Sequence, residues 1–385
     1  MRQLGRNNII FFGANFIFAL SYGVWYNLRG LHLADLGASP ELVGTALAIS
    51  GIASGIVPLP AGYLVDRVGP RRVLLASWVI GALGAVVMAL ANTWQVVTLG
   101  LVIFSLITAG NPAAVAFVMS NVRGHAEREN SQQQLSLVFR SWPAAMIFSP
   151  FLGGLLADWL GIRADLWAGA AGFTLAVFVL LRTEEVEILE PDPGDGGVLV
   201  LFRNRAFLLV AGYYTLLTLV LYVGYMLAPN YLEDTLGFSS GTIGILFSLF
   251  SLGTFLANIL IARVKSKLAG VVLLVGVWLA LLGLWGLRAV VPIGFVFIPF
   301  GGLIAFWVLK TADIGRVVQA QNQGLAFGVM ESLTFIAGAL ASWLAGNLYE
   351  LNAAHDLPLV AGLLGIPVIL VLWFFLPGLV KRVSS

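Results

Sequence analysis

The chain has 385 residues, 59% hydrophobic and only 10% charged, whereas a soluble domain carries about 25% charged residues. A net charge of +2 is too small to suggest nucleic acid as a partner, and the lack of cysteine excludes disulfides, thiolate nucleophiles and cysteine-based metal sites. The apolar excess runs the whole length, so lipid is the main solvent and the chain reads as an all-α, polytopic integral membrane protein.

A bilayer core needs about 20 apolar residues per helix. That ruler predicts twelve spans, near 8–29, 40–62, 72–91, 95–121, 132–158, 163–182, 205–231, 240–263, 269–288, 292–313, 324–349 and 357–380. Met1–Arg6 and the apolar run after them imitate a secretory leader. The run leads into further spans without a small-residue cleavage signal, so a retained first helix is expected.

The first span places Asn15, Tyr22 and Tyr26 on one helical face. Aromatic and amide groups suit an amphipathic or ring-bearing substrate, and they serve equally as interface anchors in any membrane helix. Between the second and third spans, "GYLVDRVGPRR" gathers Asp66, Arg67, Arg71 and Arg72 in one short turn. A tight hairpin, Ala91–Trp94, separates the third and fourth spans, and Asn111–Pro112 interrupts the fourth.

Charged groups at membrane depth are expensive, which makes each a functional candidate. Arg140 sits about two turns into the fifth span, in "LVFRSWPAAM". It is read as a ligand for a substrate carboxylate or phosphate, as a lock against a protein acid, or as a snorkelling side chain.

After the sixth span, "TEEVEILEPDPGDGG" holds six of the 19 acids with two prolines and reads as a solvated linker over 183–204. It divides an N-terminal bundle, 1–182, from a C-terminal bundle, 205–385. The seventh span carries Tyr222, Tyr225 and, beyond Pro229, Asn230. Lys310 and Asp313 are expected at the membrane interface. Glu331, in "GVMESLTF", is the one acid clearly inside a span. Desolvation there favours a bound proton, so Glu331 is the proton-coupling candidate, against the plainer reading of a helix-packing acid.

Two further signals organise the whole chain. Seventeen of the 21 Lys and Arg lie in tails and loops on the N-terminal side, against Arg29, Arg163 and Arg288 opposite. The positive-inside rule then places both termini in the cytoplasm of a cell (plasma or inner) membrane protein. "LGASPELVG" (36–44) recurs as "LGFSSGTIG" (236–244), a parallel repeat of the kind found in transporters.

Gly62, Leu64, Asp66, Arg67, Gly69, Arg71 and Leu74 resemble the G-x-L-x-D-R-x-G-R-K-x-x-L signature of the major facilitator superfamily, with Pro70 in place of its first basic residue after the glycine. A worn second copy follows the eighth span, with Ser266 at the Asp66 position. In the fifth span Pro150, Gly153 and Gly154 resemble the G-P-x-x-G-G element of the superfamily's antiporters, with Ser149 replacing its first glycine. A proline and paired small residues also serve plain helix packing. The fourth span lacks the arginine usual in the family's drug–proton antiporters.

The resemblance implies a twelve-helix fold of two pseudo-symmetric six-helix bundles that works by alternating access. It places the first and seventh helices along a central cavity and makes Gly62, Asp66, Arg67, Gly69 and Arg71 a conformational latch. Asp66 then contacts the opposite half when the cytoplasmic side is closed. The leading expectation is proton-coupled export of small amphipathic compounds, with Asn15, Tyr22, Tyr26, Asn111, Arg140, Tyr222 and Tyr225 at the substrate. An organic anion or polar metabolite recognised by Arg140 is the alternative within transport, and a non-transporting scaffold or sensor is the alternative outside it. Neither enzyme activity, nor a cofactor, nor a metal is expected: His32, His125 and His355 lie in separate loops, and no phosphate-cradling G-x-x-x-x-G-K-[ST] occurs. A monomer is expected.

Overall fold

A computed structural model describes residues 5–121, 135, 137–185, 197–319 and 322–384. Arg2, Arg123, Arg128, His125, Glu187, Glu190, Asp192 and Asp195 lie outside the described residues, as do the side chains of Lys381 and Arg382.

Twelve described helices are long and apolar enough to cross a membrane. They are α1 (Arg6–Tyr26), α2 (Pro40–Val68), α3 (Pro70–Leu90), α4 (Trp94–Ser120), α5 (Leu137–Leu160), α6 (Ile162–Leu180), α7 (Arg205–Asp234), α8 (Ser240–Arg263), α9 (Ser266–Gly286), α10 (Val290–Val317), α11 (Gln323–Glu350) and α12 (Leu357–Val380). Large apolar side chains such as Phe148, Phe178, Trp307 and Phe375 are exposed along them, as helices solvated by lipid require.

The helices depart from the expected spans where the backbone has a local reason. α1 stops at Tyr26, and Arg29–Asp35 forms a separate short helix that the sequence reading merged with span and loop. α2 is broken at Val57, where Pro58 starts a new helical segment. α4 tightens into a 3-10 turn over Leu106–Ala109, one turn before the expected interruption. Pro112 falls within the first turn of the segment that follows, where its missing N–H costs little. α10 is interrupted at Gly301, after Pro299. The predicted linker contains a further short helix, Gly197–Arg203.

The chain forms two compact units. Unit 1 comprises Met1–Gly37, Ile56–Asp192 and Ser239–Gly244, and unit 2 comprises Ala38–Gly55, Pro193–Phe238 and Ile245–Ser385. Within unit 1, α1 packs along α5 and α6, and α3 along α4 and α6. Within unit 2 the pattern recurs six helices later: α7 packs along α11 and α12, and α9 along α10 and α12.

The repeat detected in the sequence performs one task in each unit. Gly37 and Gly237 both take positive φ, +86° and +67°, in the turns before α2 and α8. Seven residues on, each repeat places a glycine at a helix crossing. A Cβ on Gly44 would lie 2.5 Å from the Ser342 carbonyl oxygen and 2.8 Å from Gly346 Cα, inside unit 2. A Cβ on Gly244 would collide with the Pro150 carbonyl and lie 3.0 Å from Gly154 Cα, inside unit 1. Small residues let membrane helices approach backbone to backbone, and here they do so twice.

Candidate functional site

In unit 1 the predicted substrate residues of α1 sit in an aromatic cluster. Tyr22 stacks on Tyr26 with ring centroids 4.2 Å apart, and lies 5.3 Å from Trp142 and 6.0 Å from Phe104. Both tyrosines are half-buried, and the Arg29 guanidinium caps Tyr26 at 3.6 Å from its ring centroid. Asn15 is buried deeper and donates from Nδ2 to Ser141 Oγ at 2.7 Å, tying α1 to α5. Asn111 and Arg140 are exposed, and Arg140 forms no ion pair among the described residues. Gly153 lies where α5 meets α1: a Cβ there would run into the Val24 carbonyl group.

Unit 2 carries the matching aromatic cluster on α7, α8 and α10. Tyr225 stacks on Phe250 at 5.3 Å and meets the edges of Phe300 at 5.8 Å and Phe247 at 6.0 Å. Tyr222 lies 5.8 Å from Tyr225 and lines the close approach to Gly338 of α11. Such faces can stack on rings and apolar groups.

Next to this cluster in the chain stands a charged pair that the sequence reading only half saw. Lys310 Nζ lies 3.4 Å from Glu331 Oε2 and donates to Thr334 Oγ1 at 2.8 Å, joining α10 to α11. The Lys310 side chain is 7% exposed and that of Glu331 33%, so the acid is the more accessible partner. Lys310 is therefore buried and paired among the helices, where the sequence reading expected an interfacial side chain. A long lysine reaches inward because Glu331 and Thr334 satisfy its ammonium group there. Asp313 is likewise held inside α10, accepting from the Tyr214 hydroxyl at 2.8 Å and from Arg316 at 2.9 Å.

Glu331 is thus not the sole acid within a span. Besides Asp313, Asp165 in α6 is fully buried, and neither of its oxygens has a hydrogen-bond partner among the described residues. It stands in the first turn of α6, two residues from Arg163 and inside the expected sixth span, but the sequence reading did not single it out. The apolar run that follows at once, "LWAGAAGF", is the signal that marks it as part of the span.

The basic turn between α2 and α3 divides its charges. Gly69 takes φ +96°, which only glycine adopts without strain, and ends α2 there. Gly62 lies on an open helix face. Arg67 stacks on Tyr63 at 4.4 Å, and Asp66 is exposed with no ion pair among the described residues. Arg71 turns the other way, to the Leu181 carbonyl at 3.0 Å, Thr183 Oγ1 at 3.1 Å and Glu185 at 3.2 Å. Arg72 joins it on Glu185 at 3.1 Å, so the first acids of the linker are tied down at the end of α6.

At the opposite face of unit 1, His32 of the short helix is buried, and its Nε2 has no hydrogen-bond partner among the described residues. Burial, helped by the positive Arg163, pushes its pKa down to about 4. Arg163 itself donates to the Ala91 carbonyl at 2.7 Å and to Asn92 Oδ1 at 3.1 Å. No three His, Asp or Glu among the described residues gather as metal ligands do.

A family model described as the Major Facilitator Superfamily matches residues 10–228. The inner membrane transport protein YajR of Escherichia coli (strain K12) is 25% identical over 336 residues, covering 82% of this chain and 71% of YajR. The multidrug resistance protein MdtH of Edwardsiella ictaluri (strain 93-146) is 26% identical over 375 residues, covering 91% of this chain and 89% of MdtH. A crystal structure of a variant of the nucleoside transporter NupG superposes with a TM-score of 0.78 at 15% identity, covering 97% of this chain and 99% of NupG. At that identity the likeness concerns the fold.

Proposed function

This chain belongs to the Major Facilitator Superfamily, whose members are transporters and not enzymes, and from that premise we propose that it exports small amphipathic, ring-bearing molecules in exchange for protons by alternating access. The observation that carries this reading is Glu331: a carboxylate one-third exposed within an apolar helix and held by a single buried lysine. A proton arriving at Glu331 cancels the pair's attraction and frees Lys310 to shift, which gives a local event able to bias a two-state equilibrium. Tyr22, Tyr26, Tyr222 and Tyr225 supply ring faces for the substrate, with Asn111 and Arg140 exposed for polar contact. The name of MdtH, a multidrug resistance protein, supports export. NupG, a nucleoside transporter, shows that the same fold serves other cargo.

In this reading Asp66 is the free member of the latch turn, since Arg71 is committed to Glu185 and its neighbours. The distribution of basic residues supports cytoplasmic termini, and the likeness to the inner membrane protein YajR supports a place in the inner or plasma membrane.

The test is flux of fluorescent aromatic dyes from proteoliposomes under an imposed pH gradient. The wild type is expected to move dye with the gradient, and Glu331→Gln is expected to lose that dependence. Equal gradient-driven flux in both proteins would overturn the role of Glu331, and no flux of any dye would overturn export of this class.

A further inference from the structure

Asp165 has no part in the transport reading above, and it is the most exposed anomaly in the polar accounting of unit 1. Its side chain is fully buried and both carboxyl oxygens lack hydrogen-bond partners among the described residues. A charge so placed, with neither donor nor cation, is strongly disfavoured, whereas a neutral acid carries a far smaller penalty.

Among the described residues, the elements packed against α6 give Asp165 no ion-pair partner. α5 contributes Asp158, another acid and not a cation. α1 contributes Trp25, whose indole edge would lie 2.6 Å from a Cβ on Gly169, one turn beyond Asp165, and whose N–H has no partner among the described residues. The titratable groups of α3, Arg71 and Arg72, lie at its other end, on Glu185. Arg163 is two residues away on the same helix, where side chains do not face each other, and is engaged with Ala91 and Asn92. His32, on the short helix, lies in the field of Arg163.

We infer that Asp165 is a proton-binding site of unit 1, a neutral carboxylic acid for as long as α1, α3 and α5 enclose it, and a proton donor when that end of the unit opens to water. Asp158 is itself engaged elsewhere: its Oδ2 accepts from Ser239 Oγ at 2.9 Å, just before α8. The site lies in a different unit from Glu331 and does not depend on the export reading.

Infrared spectra of the full chain in lipid nanodiscs at neutral pH test this directly. The wild-type minus Asp165→Asn difference is expected to show loss of one carboxylic-acid C=O band. Loss of carboxylate stretching bands instead would overturn the proposal. If Asp165→Asn does not fold, Asp165→Glu carries the test: the acid band shifts in frequency, and a shift confined to carboxylate bands overturns it. A Glu331→Gln background leaves the expected difference unchanged, so failure of the export reading and failure of this one are separable.

Discussion

Lys310 and Glu331 show what a single intramembrane charge is worth and what fixes its value. Removing one partner of a buried pair leaves the other unsatisfied, but Glu331 is one-third exposed and its contact is long, 3.4 Å, so part of the penalty is relieved. Lys310→Met is expected to destabilise the protein by roughly 1–3 kcal/mol in detergent unfolding. Adding Glu331→Gln should restore most of that loss, because the orphaned carboxylate is then gone. Additive losses in the double variant would mean that the two side chains act separately. Glu331 was legible in the sequence because its neighbours are apolar for more than a turn on either side. Lys310 was not, since a lysine near a span end satisfies the positive-inside pattern whether it snorkels outward or is drawn inward. Only the partner across the helix interface decides, and no single sequence names it. Asn15 shows the same limit: its helical face was readable, but its bond to Ser141 was not.

Helix packing in this chain rests on glycines at particular crossings, and those positions can be told apart by their surroundings. A Cβ on Gly153 would press into the Val24 carbonyl and stand 2.8 Å from Val24 Cα, so α1 and α5 must separate to admit it. Gly153→Ala is expected to cost about 1–3 kcal/mol, seen as a lower melting temperature of the purified protein. Gly62→Ala is the contrast. Its Cβ meets nothing within 4 Å and its backbone is helical, so alanine should leave stability unchanged or raise it by about 0.5–1 kcal/mol. A melting temperature for Gly153→Ala equal to that of Gly62→Ala would show that the crossing yields freely. The twelve spans were legible because lipid demands long apolar runs. The repeated "LG" turns were also legible, because a positive φ selects glycine at the same place in both copies. The breaks at Val57, Leu106–Ala109 and Gly301 were not, since prolines in the sequence mark a neighbourhood and tertiary packing chooses the turn that gives way.

The stability of the whole molecule is expected to depend on pH through His32, which sits where several elements of unit 1 converge. Its short helix packs on α4, and Arg163 of α6 holds the turn between α3 and α4 beside it. Protonating His32 would bury a second positive charge near Arg163, and its pKa in the fold is accordingly about 4 against the ordinary 6.5. The unfolded chain therefore takes up a proton at pH values where the folded protein does not. Stability contributed by neutral His32 is fully present above pH 6.5, falls as the pH drops towards 4, and is lost below it. The full loss is about 3 kcal/mol. Carboxylates titrate over part of the same range, so the comparison that isolates His32 is between the wild type and His32→Gln, which cannot take up the proton. The melting temperature of the wild type should fall more steeply than that of the variant between pH 6.5 and 4, with the two slopes equal above pH 7. Parallel curves across the whole range would mean that the imidazole is reached by water and titrates as freely in the fold as outside it.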